Sequence, residues 1–87
     1  MIIEIAEFKV KPEDAMAFGE AITRAAQTTL AQAAGYRGHQ ILACRETPGR
    51  FILHVNWNTL EDHTVGFRES AAFAQWRAII GPFFLAP

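Results

Sequence analysis

Apolar residues along this chain either alternate with polar ones in short runs or recur at steps of three and four, and the two patterns divide it into six predicted elements. Residues Ile2 to Val10, rich in Ile, Val and Phe, stop just before Pro12 and read as a first strand. Pro12 suits the first position of a helix, where Glu13 and Asp14 favour the positive end of the helix dipole. Ala15, Phe18, Ile22, Ala25, Thr29 and Ala33 then fall on one stripe, which predicts a helix to about Ala33. Most of that stripe is small, so the helix can lie close to a sheet. Gly35 is its natural stop.

Two apolar runs follow, Tyr36 to Arg45 and Arg50 to Trp57, joined by Glu46-Thr47-Pro48-Gly49, which has the chemistry of a hairpin turn. If Arg45 faces Arg50, then Leu42 faces Leu53, Ile41 faces His54 and Gln40 faces Val55. One face then carries Tyr36, Leu42, Cys44, Phe51, Leu53, Val55 and Trp57. The other carries Arg37, His39, Ile41, Arg45, Arg50, Ile52, His54 and Asn56, a mixed surface that water or a second subunit would cover. A three-residue turn shifts this pairing by one place.

Beyond Trp57, Thr59 with Asp62 three residues later is a capping-box signal for a short helix to about Phe67. Ser70 caps another, in which Phe73, Trp76 and Ile80 share a face, and Gly81-Pro82 ends it. The order strand, helix, strand, strand, two short helices is most of a split βαβ pattern. It predicts an α+β, ferredoxin-like domain with an antiparallel sheet, one domain over residues 1–87, without repeat or linker. The fourth strand that usually closes such a sheet is not expected before Pro87.

With 87 residues, 51% of them hydrophobic, the chain is globular. A domain of this size buries only about 60 to 65% of its unfolded surface, which leaves little room for a deep private cavity and favours a partner subunit. The net charge of −1 comes from interspersed acids and bases, so there is no basic stripe for nucleic acid. A lone Cys44 excludes an internal disulfide and any CxxC metal or redox motif, and fits a reducing, cytoplasmic setting. Glu4 and Glu7 break up the apolar start, so no signal peptide is expected, and no apolar run approaches the roughly 20 residues that span a bilayer. Nucleotide, zinc-protease and serine-hydrolase motifs are absent from the sequence.

A strand ending in Val10-Lys11-Pro12-Glu13, Gly35-Tyr36 opening the second strand, Pro48-Gly49 in the hairpin, Trp57 closing the third strand, then Leu60-Glu61-Asp62-His63 and Phe67-Arg68-Glu69-Ser70 with Phe73 and Trp76, together resemble the antibiotic biosynthesis monooxygenase domains of the dimeric α+β barrel superfamily. The resemblance covers nearly the whole chain. It implies a homodimer whose sheets face each other as a barrel with the helices outside. It also implies a pocket in each subunit lined by Trp57, His63, Phe67, Phe73, Trp76 and Arg77.

Members of that family include oxygenases that use no cofactor, haem-degrading oxygenases, and small proteins without assigned activity. The haem-degrading members rely on a first-strand Asn, a Trp and an iron-ligating His. Those positions fall here at Ala6 or Glu7, at Phe67 and near Arg77, so none matches. Oxygenation without a cofactor or metal asks for a base, a stabiliser for an enolate oxygen and a dry chamber. His63 is the candidate base, Arg77 or Asn56 the stabiliser, and Trp57, Phe67, Phe73 and Trp76 the walls around an aromatic ligand. Each has a plainer reading as well. The aromatic residues fill a core, His63 faces solvent, His39 and His54 lie in the barrel interface, Arg68 and Glu69 form a solvated helix junction, and Arg77 pairs with Glu61 or Glu69. Phe83, Phe84 and Leu85 form an apolar tail expected to dock on a partner subunit. The rivals to an oxygenase without a cofactor are a non-catalytic binding or accessory protein of the same fold and a haem-binding or haem-degrading oxygenase with a rearranged ligand set.

Overall fold

The computed structural model describes residues 1–85. Three antiparallel strands, β1 (Ile2–Lys9), β2 (Tyr36–Ala43) and β3 (Arg50–Trp57), form one sheet in the order β1-β3-β2. A 3₁₀ turn at Pro12–Asp14 leads into helix α1 (Ala15–Thr28), and a second 3₁₀ turn at Leu30–Gln32 follows it. A π-helical segment (Asp62–Phe67) and helix α2 (Ala71–Ile80) complete the α+β architecture predicted from the sequence. No helix among the described residues is long and apolar enough to cross a membrane.

All helices lie on one side of the sheet. Phe18, Ile22, Ala25 and Ala26 of α1 and Leu30 after it pack on Phe51, Leu53, Val55 and Trp57, every second residue of β3. The alanines let α1 sit close to the central strand. Thr29, buried at the helix end, satisfies its hydroxyl by donating to the Ala25 carbonyl at 2.7 Å.

The hairpin register differs from the predicted one by a single place. Ile41 faces Leu53, Gln40 faces His54 and Ala43 faces Phe51, and Cys44, not Arg45, stands beside Arg50. The loop is the cause. The Arg50 amide bonds back to the Thr47 carbonyl at 3.1 Å, and Gly49 has φ +93°, so Thr47-Pro48-Gly49-Arg50 is a type II turn set inside a five-residue connection. One extra residue turns over every side chain on β2. Leu42 therefore lies on the open face, while Ile41 and His39 go to the helix side. A bulge between Tyr36 and His39 restores Tyr36 opposite Trp57.

Phe83 and Phe84 also depart from expectation, because they dock on their own chain. Phe84 stacks on Phe8 at 5.4 Å and Phe83 meets Phe18 edge-on at 5.5 Å. Phe84 makes one antiparallel bridge to Val10, and the Leu85 amide donates to the Lys9 carbonyl at 3.1 Å. Among the described residues, the fourth strand is reduced to that bridge.

Candidate functional site

Strand β1 lies at the edge of the sheet, and its alternation turns Glu4, Ala6 and Phe8 toward the helices, opposite Val55, Leu53 and Phe51. Glu4 is thus a half-buried carboxylate beside the apolar core. Its two oxygens have different partners: one accepts the indole N–H of Trp57 at 3.1 Å, and the other lies 3.0 Å from Nε2 of His63. Trp57 is fully buried, and the side chains of His63 and Glu4 are 19% and 23% exposed. The imidazole also stacks on the Trp57 ring, with centroids 5.8 Å apart and planes 26° from parallel. A buried indole, a carboxylate and an imidazole therefore form one connected unit.

Local structure fixes His63 in this place. The predicted capping box is present, with the Thr59 amide donating to Asp62 and the Asp62 amide to the Thr59 hydroxyl, each at 3.2 Å. Gly35, at φ +81°, allows that cap to approach β2, since a Cβ there would lie 2.1 Å from the Asp62 carboxylate. The turn then widens, so that the Arg68 amide bonds to the His63 carbonyl five residues back at 3.2 Å. His63 and Phe67 face the sheet, while Thr64, Val65 and Gly66 face solvent.

A cavity of about 60 Å³ opens against this unit, walled by Glu4, His63, Phe67, Arg68, Phe73 and Trp76 with Ala6, Phe8, Leu30 and Leu53 beneath. That volume has room for a few waters but not for a fused ring system. A shallower groove of about 290 Å³ shares Glu4, Ala6, Phe8, Arg68, Phe73 and Trp76 with it and adds Arg77, Ile80 and Phe84. The inner cavity thus ends at the Glu4–His63 pair, and the outer groove is mostly apolar, with Glu4 at its inner end and the cationic side chains of Arg68 and Arg77 along it.

The aromatic residues singled out from the sequence do gather here, in graded roles. Trp57 is core and reaches the site through its N–H and ring face. Phe67 and Trp76 are nearly buried walls, and Phe73 is a half-exposed one that meets Phe67 edge-on at 5.5 Å. Arg77 reaches only the outer groove, and neither Glu61 nor Glu69 pairs with it among the described residues. Asn56 does not join them. It alternates with the buried Val55 and Trp57 and so points to the opposite face, across from Ile3 and within 4.0 Å of the Gly38 position.

Two members of the site were not singled out as such. Arg68, read as part of a solvated junction, lines both spaces and lies over the Phe73 ring at 5.5 Å. Glu4 was obscured because Ile3 and Ile5 make the other side of β1 look like the buried one. His39 is also displaced from the predicted interface, and its Nδ1 lies 2.6 Å from the Tyr36 hydroxyl on the helix side. Burial pushes that Tyr36 phenol above its ordinary range. Among the described residues, no three His, Cys, Asp or Glu side chains cluster as metal ligands.

The sequence profile described as antibiotic biosynthesis monooxygenase matches residues 1–79. A Bacillus subtilis (strain 168) protein, YczJ, itself uncharacterised, is 34% identical over 84 residues, covering 97% of this chain and 87% of its own. Among solved structures, a Bordetella bronchiseptica protein provisionally named as an antibiotic biosynthesis monooxygenase superposes with a TM-score of 0.88 at 34% identity, over 98% of this chain and 86% of that one. A Nitrosomonas europaea protein with the same provisional name gives a TM-score of 0.79 at 25% identity, over 98% and 80%.

Proposed function

The chain belongs to the antibiotic biosynthesis monooxygenase family, and on that footing we propose that it oxidises an electron-rich aromatic or polyketide-like small molecule with O2 and without a bound cofactor. The observation that carries this reading is the Glu4 carboxylate, shared between Trp57 and His63 at the floor of an aromatic groove. The chemistry is that of an anthrone-like CH2 group. His63, oriented by Glu4, takes a proton from the substrate, and Arg68 faces the enolate oxygen with Arg77 farther out. The carbanion passes one electron to O2, radical and superoxide combine to a peroxide anion, and His63 returns its proton to give the hydroperoxide. Loss of water then leaves a ketone, so that CH2 and O2 become C=O and H2O. Phe67, Phe73 and Trp76 exclude bulk water from the ionised intermediate.

The reading includes a homodimer closed through the open sheet face and residence in a reducing, cytoplasmic compartment. Ile3 and Ile5, 61% and 66% exposed on the single chain, and the neighbouring Leu42 and Ile52 form the apolar centre of that face. The test is oxygen uptake with a panel of anthrones and quinols, comparing the wild type with His63→Ala, Glu4→Gln and Arg77→Ala. Uptake by the wild type that falls at least about tenfold in His63→Ala is expected. Rates equal to background in every protein would leave the non-catalytic binding reading in its place. A haemin titration without a shifted Soret band is expected as well.

A further inference from the structure

We infer that the ligand of this groove is a hydroxyaryl carboxylic acid, its ring held among Phe73, Trp76 and Phe84 and its carboxylate read by Arg77 beside Arg68. The inference rests on the oxidative reading above for the direction of binding, and on the groove itself for the anionic group. The charges lining the two spaces are unequally distributed. Glu4 is the single acid in either wall, and it is already engaged by Trp57 and His63. Arg68 borders both the inner cavity and the groove, Arg77 only the groove, and neither pairs with a carboxylate among the described residues. Arg68 is further held over the Phe73 ring, which fixes its charge at the mouth of the cavity.

An acid that entered head-first would bring its carboxylate against Glu4. Like charges repel strongly where water is scarce, so the carboxylate stays outside with the guanidiniums, whose planar forks match it. The hydroxyl-bearing edge then points inward to Glu4 and His63. Volume agrees with this direction, because a cavity of about 60 Å³ admits a ring edge and the groove of about 290 Å³ the ring body.

The test is calorimetric titration of the wild type, Arg68→Gln, Arg77→Gln and the double variant with 6-hydroxy-2-naphthoate, whose hydroxyl and carboxylate stand at opposite ends of the ring system, and with its neutral amide. Both arginines are exposed, so the variants are expected to fold. The acid should bind the wild type about tenfold or more tightly than the amide, as one charge-assisted contact allows. That preference should vanish in the double variant, the amide being weakened far less than the acid. Equal binding of acid and amide, equal weakening of both by the arginine changes, or no binding of either would overturn the inference. Titration needs no turnover, so the two readings fail separately. Acid preference without oxygen uptake removes the oxygenase and keeps the anion site, whereas uptake with neutral phenols and no acid preference does the reverse.

Discussion

Replacing Glu4 by alanine removes the carboxylate that joins the strand, the buried indole and the imidazole, and its cost can be worked out from the contacts. Trp57 is fully buried, so loss of its acceptor leaves an indole N–H without a partner at a place water reaches poorly. An orphaned buried donor costs about 1 to 3 kcal/mol. The second oxygen, 3.0 Å from Nε2 of His63, is lost as well, but both side chains keep some contact with water, so this contact adds only about 0.5 kcal/mol. A total near ~2.5 kcal/mol lowers the melting temperature of a domain of this size by roughly 10 to 20 °C. Glu4→Gln retains a carbonyl oxygen for the indole and should lose about half as much. The assay is urea unfolding of the three proteins, with hydrogen exchange of the Trp57 indole proton followed by NMR. Glu4→Ala within about 0.3 kcal/mol of the wild type, with the indole proton still protected, would refute the reasoning, because the carboxylate would then hold nothing.

Other changes probe the rest of the molecule. Gly49→Ala places a Cβ 2.2 Å from the Val10 carbonyl oxygen at φ +93° and should cost about 2 kcal/mol or more by denaturant unfolding. Phe67→Ala, in a nearly buried wall, should cost about 3 to 5 kcal/mol and widen the inner cavity, which a solved structure of the variant would reveal. Ile5→Lys on the open face should leave the fold intact yet convert a sedimenting species of twice the chain mass to the single chain. A wild type that already sediments as a monomer at micromolar concentration would remove the dimer. The Arg50 guanidinium hydrogen-bonds Glu7 and, with its charge and that of Lys9, holds that carboxyl below its ordinary value of 4.5. A depressed folded pKa gives stability that is present at neutral pH and lost as the pH falls through it, so Arg50→Gln should return the Glu7 midpoint toward 4.5 in an NMR titration.

Most of the architecture was legible in the sequence because local chemistry fixes it. Pro12 before an acidic first turn starts α1, Thr59 and Asp62 cap one segment and Ser70 another, and apolar residues at every second place make β3 a central strand. The same clues located the aromatic half of the site, since Phe67, Phe73 and Trp76 have nowhere to go but onto that strand. His63 was legible for the same reason. Its carboxylate partner was not, because Glu4 lies 59 residues away, on a strand whose more apolar side faces outward.

Amino-acid sequence by itself determined the elements, their order, their caps and the family to which they belong. Tertiary structure alone decided which faces meet. One additional residue in the connection between Cys44 and Arg50 moved Leu42 outward and His39 inward. Alternation on β3 sent Asn56 away from the cavity that its neighbour Trp57 supports, and the pairing of β1 with β3 carried Glu4 to His63. The division has a physical cause. Caps and periodicity act within one or two turns of chain, whereas strand register depends on loop geometry and on which of two apolar faces the helices cover, and a slip of one residue reverses every side chain.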